Sequence, residues 1–191
     1  MNDRSDVSLG SRRTTQGVVL VDHACGACTA CAAGAGLWCL TPTPEGRDLT
    51  PALPADRVDA VVHALLAVAA LVATPTGATA LLLADPESPV AVLARALAGG
   101  RLVVTDDPAE ARTALADEPT GRAAVVVAGD DARAAVRAVR RGGHVCLVDP
   151  VAVPPSVTEV VQREVTLVGP RDVTAVAARI DTELWAAVTA A

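Results

Sequence analysis

From residue 78 onward, short apolar runs alternate with stretches of helical character, and this alternation limits the fold more than any other feature of the sequence. The runs ATALLLA (78–84), RLVVT (101–105), AAVVVA (123–128), HVCLV (144–148) and EVTLV (164–168) have strand length and carry apolar residues at successive positions. Helical segments are expected at 89–98, 108–117, 131–141 and 155–163, with one or two more over 171–190. Asp107 caps the second, Pro108 opens its first turn, and Gly99-Gly100 and Gly142-Gly143 act as stops. Strands buried on both faces and joined by helices make a parallel sheet covered on both sides. Right-handed crossovers then give a doubly wound α/β domain of about five strands.

The first 56 residues read differently. Residues 1–16 are polar and are expected to be a flexible arm. Residues 17–22 (GVVLVD) form a strand candidate, 23–39 are rich in Cys, Gly and Ala, and 40–56 hold four prolines and read as a linker. A buried helix is expected over 57–73, with Asp56 as its N-cap. The division is thus an arm at 1–16, a metal-binding lobe and linker at 17–56, and the sheet domain at 57–191. The apolar run 60–73, which contains His63, is 14 residues long and too short to span a bilayer. It holds more apolar surface than one helix of a small protein needs, so a protein partner against it is expected. The start lacks the apolar stretch of a signal peptide, and a cytoplasmic protein is expected.

Composition removes several function classes. Sixteen basic residues, all arginine, face 22 acidic ones for a net charge of -6, and no basic run occurs, so no nucleic-acid partner is expected. Trp38 and Trp185 are the only aromatic residues, too few for a base-stacking platform. The absence of lysine excludes Schiff-base chemistry and a Walker-type phosphate lysine.

Cys25, Cys28, Cys31 and Cys39 stand in the pattern C-x2-C-x2-C-x7-C. Four thiolates within 15 residues can close a tetrahedral shell around one zinc ion, with Gly26, Gly34 and Gly36 allowing the tight turns. With four protein ligands no position remains for water, so such a zinc is structural, one per chain. An iron–sulfur cluster and unliganded thiols are the other readings; the ferredoxin spacing differs from this one. Cys146 lies mid-strand and is a core residue.

That spacing, preceded by a strand ending in VDH and followed by a doubly wound sheet, resembles the zinc-type alcohol dehydrogenases of the medium-chain dehydrogenase/reductase superfamily. HACGACTACAAGAGLWC looks like their structural-zinc lobe, TPTGATALLLA like the entry to their nucleotide-binding domain, and GGHVCLVDP with QREVTLVGP like their last two strands. The resemblance covers roughly residues 17–170 and implies a Rossmann-like fold reduced in size, with an N-terminal structural-zinc lobe.

The departures are as specific as the match. The family's catalytic-zinc ligands come from an N-terminal domain, and only 24 residues precede Cys25 here; no G-H-E motif occurs. The family's G-x-G-x-x-G turn is replaced by Ala84-Asp85-Pro86-Glu87-Ser88-Pro89, which has no glycine, two prolines without N–H donors and two carboxylates. NAD(P) binding is therefore not expected. Asp106 stands where the family's ribose-binding acid would be and is the one cofactor-binding candidate. The family's third strand has no counterpart, so the expected order in its labels is 2-1-4-5-6, with strand 101–105 at an edge.

His23, Glu87 and Ser88 are the catalytic candidates: His23 as a base or a sulfur partner, Glu87 and Ser88 in the crevice where open sheets bind ligands. Arg133, Arg137, Arg140 and Arg141 follow helical spacing and read as a solvated face ahead of an anion patch. These readings lead to a zinc-stabilised, dehydrogenase-like scaffold or partner protein. A redox-neutral enzyme with a small-molecule ligand beside 84–89, and an oxidoreductase with an unusual NAD(P) loop, are the alternatives. Residues 150–169 are the expected homodimer edge, since relatives pair through the last strand.

Overall fold

The computed structural model describes residues 8–33, 35–72, 77–129, 131–148, 152–169 and 173–191. Gly34 and residues 1–7, 150 and 151 of the sequence reading lie outside these.

Five strands form the expected parallel sheet: β4 (Ala80–Leu83), β5 (Leu102–Thr105), β6 (Ala123–Ala128), β7 (Val139–Leu147) and β8 (Thr166–Val168). Their order is β5-β4-β6-β7-β8, so the strand at 102–105 is at an edge, as the family's order without its third strand requires. The preceding strands are β1 (Leu9–Thr14), β2 (Gly17–Asp22) and β3 (Arg47–Asp48), an antiparallel sheet in the order β1-β2-β3. Among the described residues no helix is long and apolar enough to cross a membrane.

The helices are α1 (Thr29–Ala32), α2 (Val58–Val72), α3 (Pro89–Leu97), α4 (Pro108–Ala114), α5 (Ala132–Ala138), α6 (Val157–Gln162), α7 (Thr174–Ala177) and α8 (Thr182–Ala190). The period of two along the strands sorts side chains onto two faces. Leu81, Val126 and Val145 face α4 and α5, where Ala111, Leu115, Ala135 and Val136 are buried with them. Ala80, Leu82, Val127 and Cys146 face the layer of α2, α3, α7 and α8.

The second layer also takes in Leu20, Leu37 and Leu53, so one core runs across the expected boundary at residue 57. Helix α2 is its centre. Val61, Ala64, Leu65, Val68 and Leu71 are each at most 2% exposed, and the helix packs on α3 and α7. Much of the apolar surface of 60–72 is thus covered from within the chain.

Several local expectations are corrected. Residues 9–14 are not a loose arm: they pair with β2 along its whole length, from Leu9 opposite Asp22 to Thr14 opposite Gly17. The proline-rich 40–56 is not a free linker either. Leu53 and Val18 exchange backbone hydrogen bonds, and Thr50 Oγ1 accepts from the Leu20 N–H. Asp56 lies inside a short 3-10 turn, Ala55–Arg57, ahead of α2 and does not cap it. Helix α5 stops at Ala138, and Val139 opens β7 opposite Ala123, because Val139 is fully buried against the sheet. Arg140 and Arg141 therefore stand on a strand.

Candidate metal centre

The four-cysteine lobe is built where β2 ends. Gly26, at φ +73, makes a turn that favours glycine and places Cys28 before the single helical turn α1, which carries Cys31. A 3-10 turn, Gly36–Trp38, then returns Cys39. The four Sγ atoms lie within 4.8 Å of one another. Cys28 Sγ is 3.5 Å from Cys31 Sγ and 3.9 Å from Cys39 Sγ. A tetrahedral shell with metal–sulfur bonds of about 2.3 Å has edges of about 3.8 Å, so the spacing fits a single ion.

The hydrogen bonds around the sulfurs favour thiolates. Cys25 Sγ accepts from Thr41 Oγ1 at 3.2 Å, from the Cys28 N–H at 3.4 Å and from the Ala27 N–H at 3.5 Å. Cys39 Sγ accepts from the Cys25 N–H at 3.3 Å. The Thr41 hydroxyl, followed by the two amides, lowers the Cys25 thiol to about 6. The Cys28 thiol is lowered too, chiefly by the backbone N–H of Cys31. Desolvation, then Cys28, pushes Cys31 up to about 12. A cation held by Cys25, Cys28, Cys31 and Cys39 would be bound by thiolates, so its binding would release the protons that remain.

His23 does not join the sulfur cluster. Its Nδ1–H donates to Thr43 O at 2.8 Å, and the Thr43 N–H donates back to His23 O at 2.8 Å. The ring lies against Gly46, at φ +62, where a Cβ would stand 2.8 Å from Nδ1. This clasp fastens the chain beyond Cys39 to the end of β2, so His23 positions the lobe.

Three contacts of the lobe gave no signal in the sequence. Thr41 is one polar residue among several in a proline-rich stretch. Ser8 donates through Oγ to Gly36 O at 2.6 Å and its N–H donates to Leu37 O, which ties the start of β1 to the cysteine turn. Asp22 is 7% exposed and accepts from the Ala24 N–H at 2.8 Å, from Thr174 Oγ1 at 2.6 Å and from Arg47 Nη2 at 3.3 Å. It joins the lobe to α7, 152 positions away in sequence.

The turn 84–89 lies at the end of β4, where a doubly wound sheet binds its ligand. Several donors here are spent internally. The Glu87 N–H donates to Asp85 Oδ1, the Ser88 N–H to Asp85 O, and the Ala91 N–H to Ser88 Oγ. Pro86 and Pro89 have no N–H to offer. Ser88 Oγ donates to Asp85 O at 2.6 Å, so this hydroxyl is the cap of α3. Glu87 and Asp106 are exposed. The turn contains no glycine, the residue on which a pyrophosphate cradle at a helix N-terminus depends. Cys146, fully buried on β7, is pushed up to about 11 by that burial, as a core thiol should be.

No protein-family model matches this sequence, and no curated protein matches it. Solved structures do. An alcohol dehydrogenase zinc-binding domain protein from Burkholderia ambifaria is 14% identical, with 90% of this chain and 66% of that one covered at a TM-score of 0.55. Acetophenone reductase from Geotrichum candidum, in complex with NAD, is 14% identical over 93% of this chain and 64% of its own, at 0.53. Benzyl alcohol dehydrogenase from Acinetobacter calcoaceticus is 13% identical over 83% and 63%, at 0.51. The chain thus spans somewhat less than two thirds of the length of these proteins. At such identities the likeness is one of architecture, and the architecture this chain shares is that of the zinc-binding alcohol dehydrogenases.

Proposed function

We propose that this protein is a zinc-stabilised, alcohol-dehydrogenase-like scaffold that does not carry out NAD(P)-dependent chemistry. The observation that carries the reading is the turn 84–89, which has no glycine, two prolines without N–H donors, Glu87 and Ser88 amides already bonded to Asp85, and two carboxylates. Zinc is the ion the sulfur set favours: four thiolates at tetrahedral spacing suit it, and a closed shell gives it a structural task. Cys25, Cys28, Cys31 and Cys39 would hold it. The five cysteines stand as free thiols, which suits a cytoplasmic protein.

The redox-neutral alternative needs Glu87 and Ser88 as reacting groups. It draws less support, because the Ser88 hydroxyl is engaged on both sides as a helix cap. The partner we propose is a second copy. Strand β8 is an edge with an open ladder, and Val153, Val157, Val161 and Leu167 beside it are exposed apolar side chains, Val157 at 78% and Val161 at 67%. Val157→Glu with Val161→Glu is expected to give a monomer in sedimentation analysis where the unaltered chain is a dimer.

Calorimetric titration with NADH and NADPH tests the main reading. No saturable heat is expected up to about 5 mM, far above the affinity of a working cofactor site. Saturable binding that Glu87→Gln or Asp106→Asn alters would restore the oxidoreductase reading.

A further inference from the structure

Helices α4 and α5 lie side by side on the face of the sheet opposite α3, and an open groove of about 280 Å³ runs between them. Ala134 and Ala138 of α5, both half-buried, give it apolar surface, and the buried Ala111 and Leu115 of the α4 side lie beneath its floor. Arg112 on α4, Arg122 just before β6, and Arg133 and Arg137 one turn apart on α5 contribute four guanidinium groups. The groove extends from Pro108 and Asp131, near the strand ends that carry turn 84–89, to Gly121 and Arg122 at the opposite end of the sheet.

These arginines differ from many others in the molecule. Arg12, Arg47, Arg101 and Arg141 each pair with a carboxylate, and within the groove Arg137 pairs with Glu159 at 2.9 Å. No carboxylate stands within ion-pair distance of Arg112, Arg122 or Arg133 among the described residues. The one acid lining the groove, Asp131, uses Oδ1 to cap α5 through the Ala134 N–H. Three uncommitted cations thus line one apolar trough in a chain of net charge -6. Like charges gathered in a cleft raise the local concentration of counter-ions and repel one another until an anion offsets them.

We propose that this groove binds a small organic phosphate monoester, with the phosphate among Arg112, Arg122 and Arg133 and the apolar body on the alanine-lined floor. Guanidinium forks pair with phosphate oxygens two at a time, and three of them supply more donors than the two oxygens of a carboxylate accept. The floor has no aromatic ring, so recognition rests on charge and apolar contact. The proposal stands independently of the metal centre and of the turn 84–89.

Titration calorimetry with phenyl phosphate tests it. One saturable site per chain is expected, weakened about tenfold by Arg133→Gln and abolished when Arg112→Gln and Arg122→Gln are added, with circular dichroism unchanged. Inorganic phosphate is expected to bind about tenfold more weakly, because it has no body to lay on Ala134 and Ala138. Arg140→Gln, on β7 outside the groove, is expected to leave binding intact. Absence of saturation up to about 10 mM phenyl phosphate would overturn the proposal. So would equal binding of inorganic phosphate, or equal loss in the Arg140 variant.

Discussion

The lobe from Ser8 to Leu53 and the sheet domain beyond it hold themselves together by different means. The lobe buries few large side chains, chiefly Leu20, Leu37 and Leu53, and surrounds them with clasps: Ser8 to Gly36 and Leu37, His23 to Thr43, Leu53 to Val18. Its four cysteines are half-buried and stand close enough to share one ion. The sheet domain needs no such device. Leu81, Val126 and Val145 on one face, and Leu82, Val127 and Cys146 on the other, are each at most 2% exposed under a helical layer. The contrast is one of size as well as of sequence: some 45 residues with few large buried side chains call for a cross-link that the 135 residues of 57–191, with two apolar layers, do not.

Metal removal should separate the two regions most sharply. A structural zinc contributes folding energy on the order of several kcal/mol, so chelation or Cys31→Ser is expected to melt the lobe while the parallel sheet survives. Hydrogen exchange should lose protection over 17–22 and keep it over 123–128. Loss over both would mean that the regions fold as one unit.

A core deletion should act the other way. Leu81→Ala removes a fully buried side chain and is expected to cost about 2–5 kcal/mol, lowering the melting temperature with the metal still bound one per chain. Asp22→Ala lies between these cases, since Asp22 belongs to the lobe yet accepts from Thr174 on α7. Leaving that hydroxyl and the Ala24 amide without their acceptor is expected to cost about 1–3 kcal/mol, read by thermal denaturation. Equal loss of protection in both regions by hydrogen exchange would identify Asp22 as their coupling.

The metal-free lobe should also depend on pH. Cys25 falls from 9.0 to about 6 on folding, so its contribution is absent below pH 6, grows between 6 and 9, and is complete above 9. Cys31 moves the other way and opposes folding as pH rises above 9. Alkylation mapped by mass spectrometry should therefore mark Cys25 before Cys31, and metal should protect both. The smallest effect expected is that of Ser88→Ala, about 1 kcal/mol from the lost cap of α3.

Much of the sheet domain is legible in the sequence because its signals are local and repeated. Residues 123–128 form β6 with the expected bounds, and Asp107 with Pro108 opens α4 as read. Where tertiary contact decides, the sequence misleads. The helical spacing of Arg133, Arg137 and Arg140 invites one continuous helix, yet Val139 is drawn into the sheet beside Ala123 and ends it. The polar segment 9–14 has no strand signal of its own; it is a strand because β2 offers it a ladder. The cysteine spacing announces a metal site, but the residues that tune it, Thr41 and Asp22, act through distances that no local pattern encodes.

X-ray absorption at the zinc edge of the purified protein tests the closed, non-catalytic centre most directly. The account predicts a single shell of four sulfurs at about 2.3 Å. A shell of three sulfurs or fewer completed by oxygen or nitrogen at about 2.0 Å would reveal an open position and contradict it.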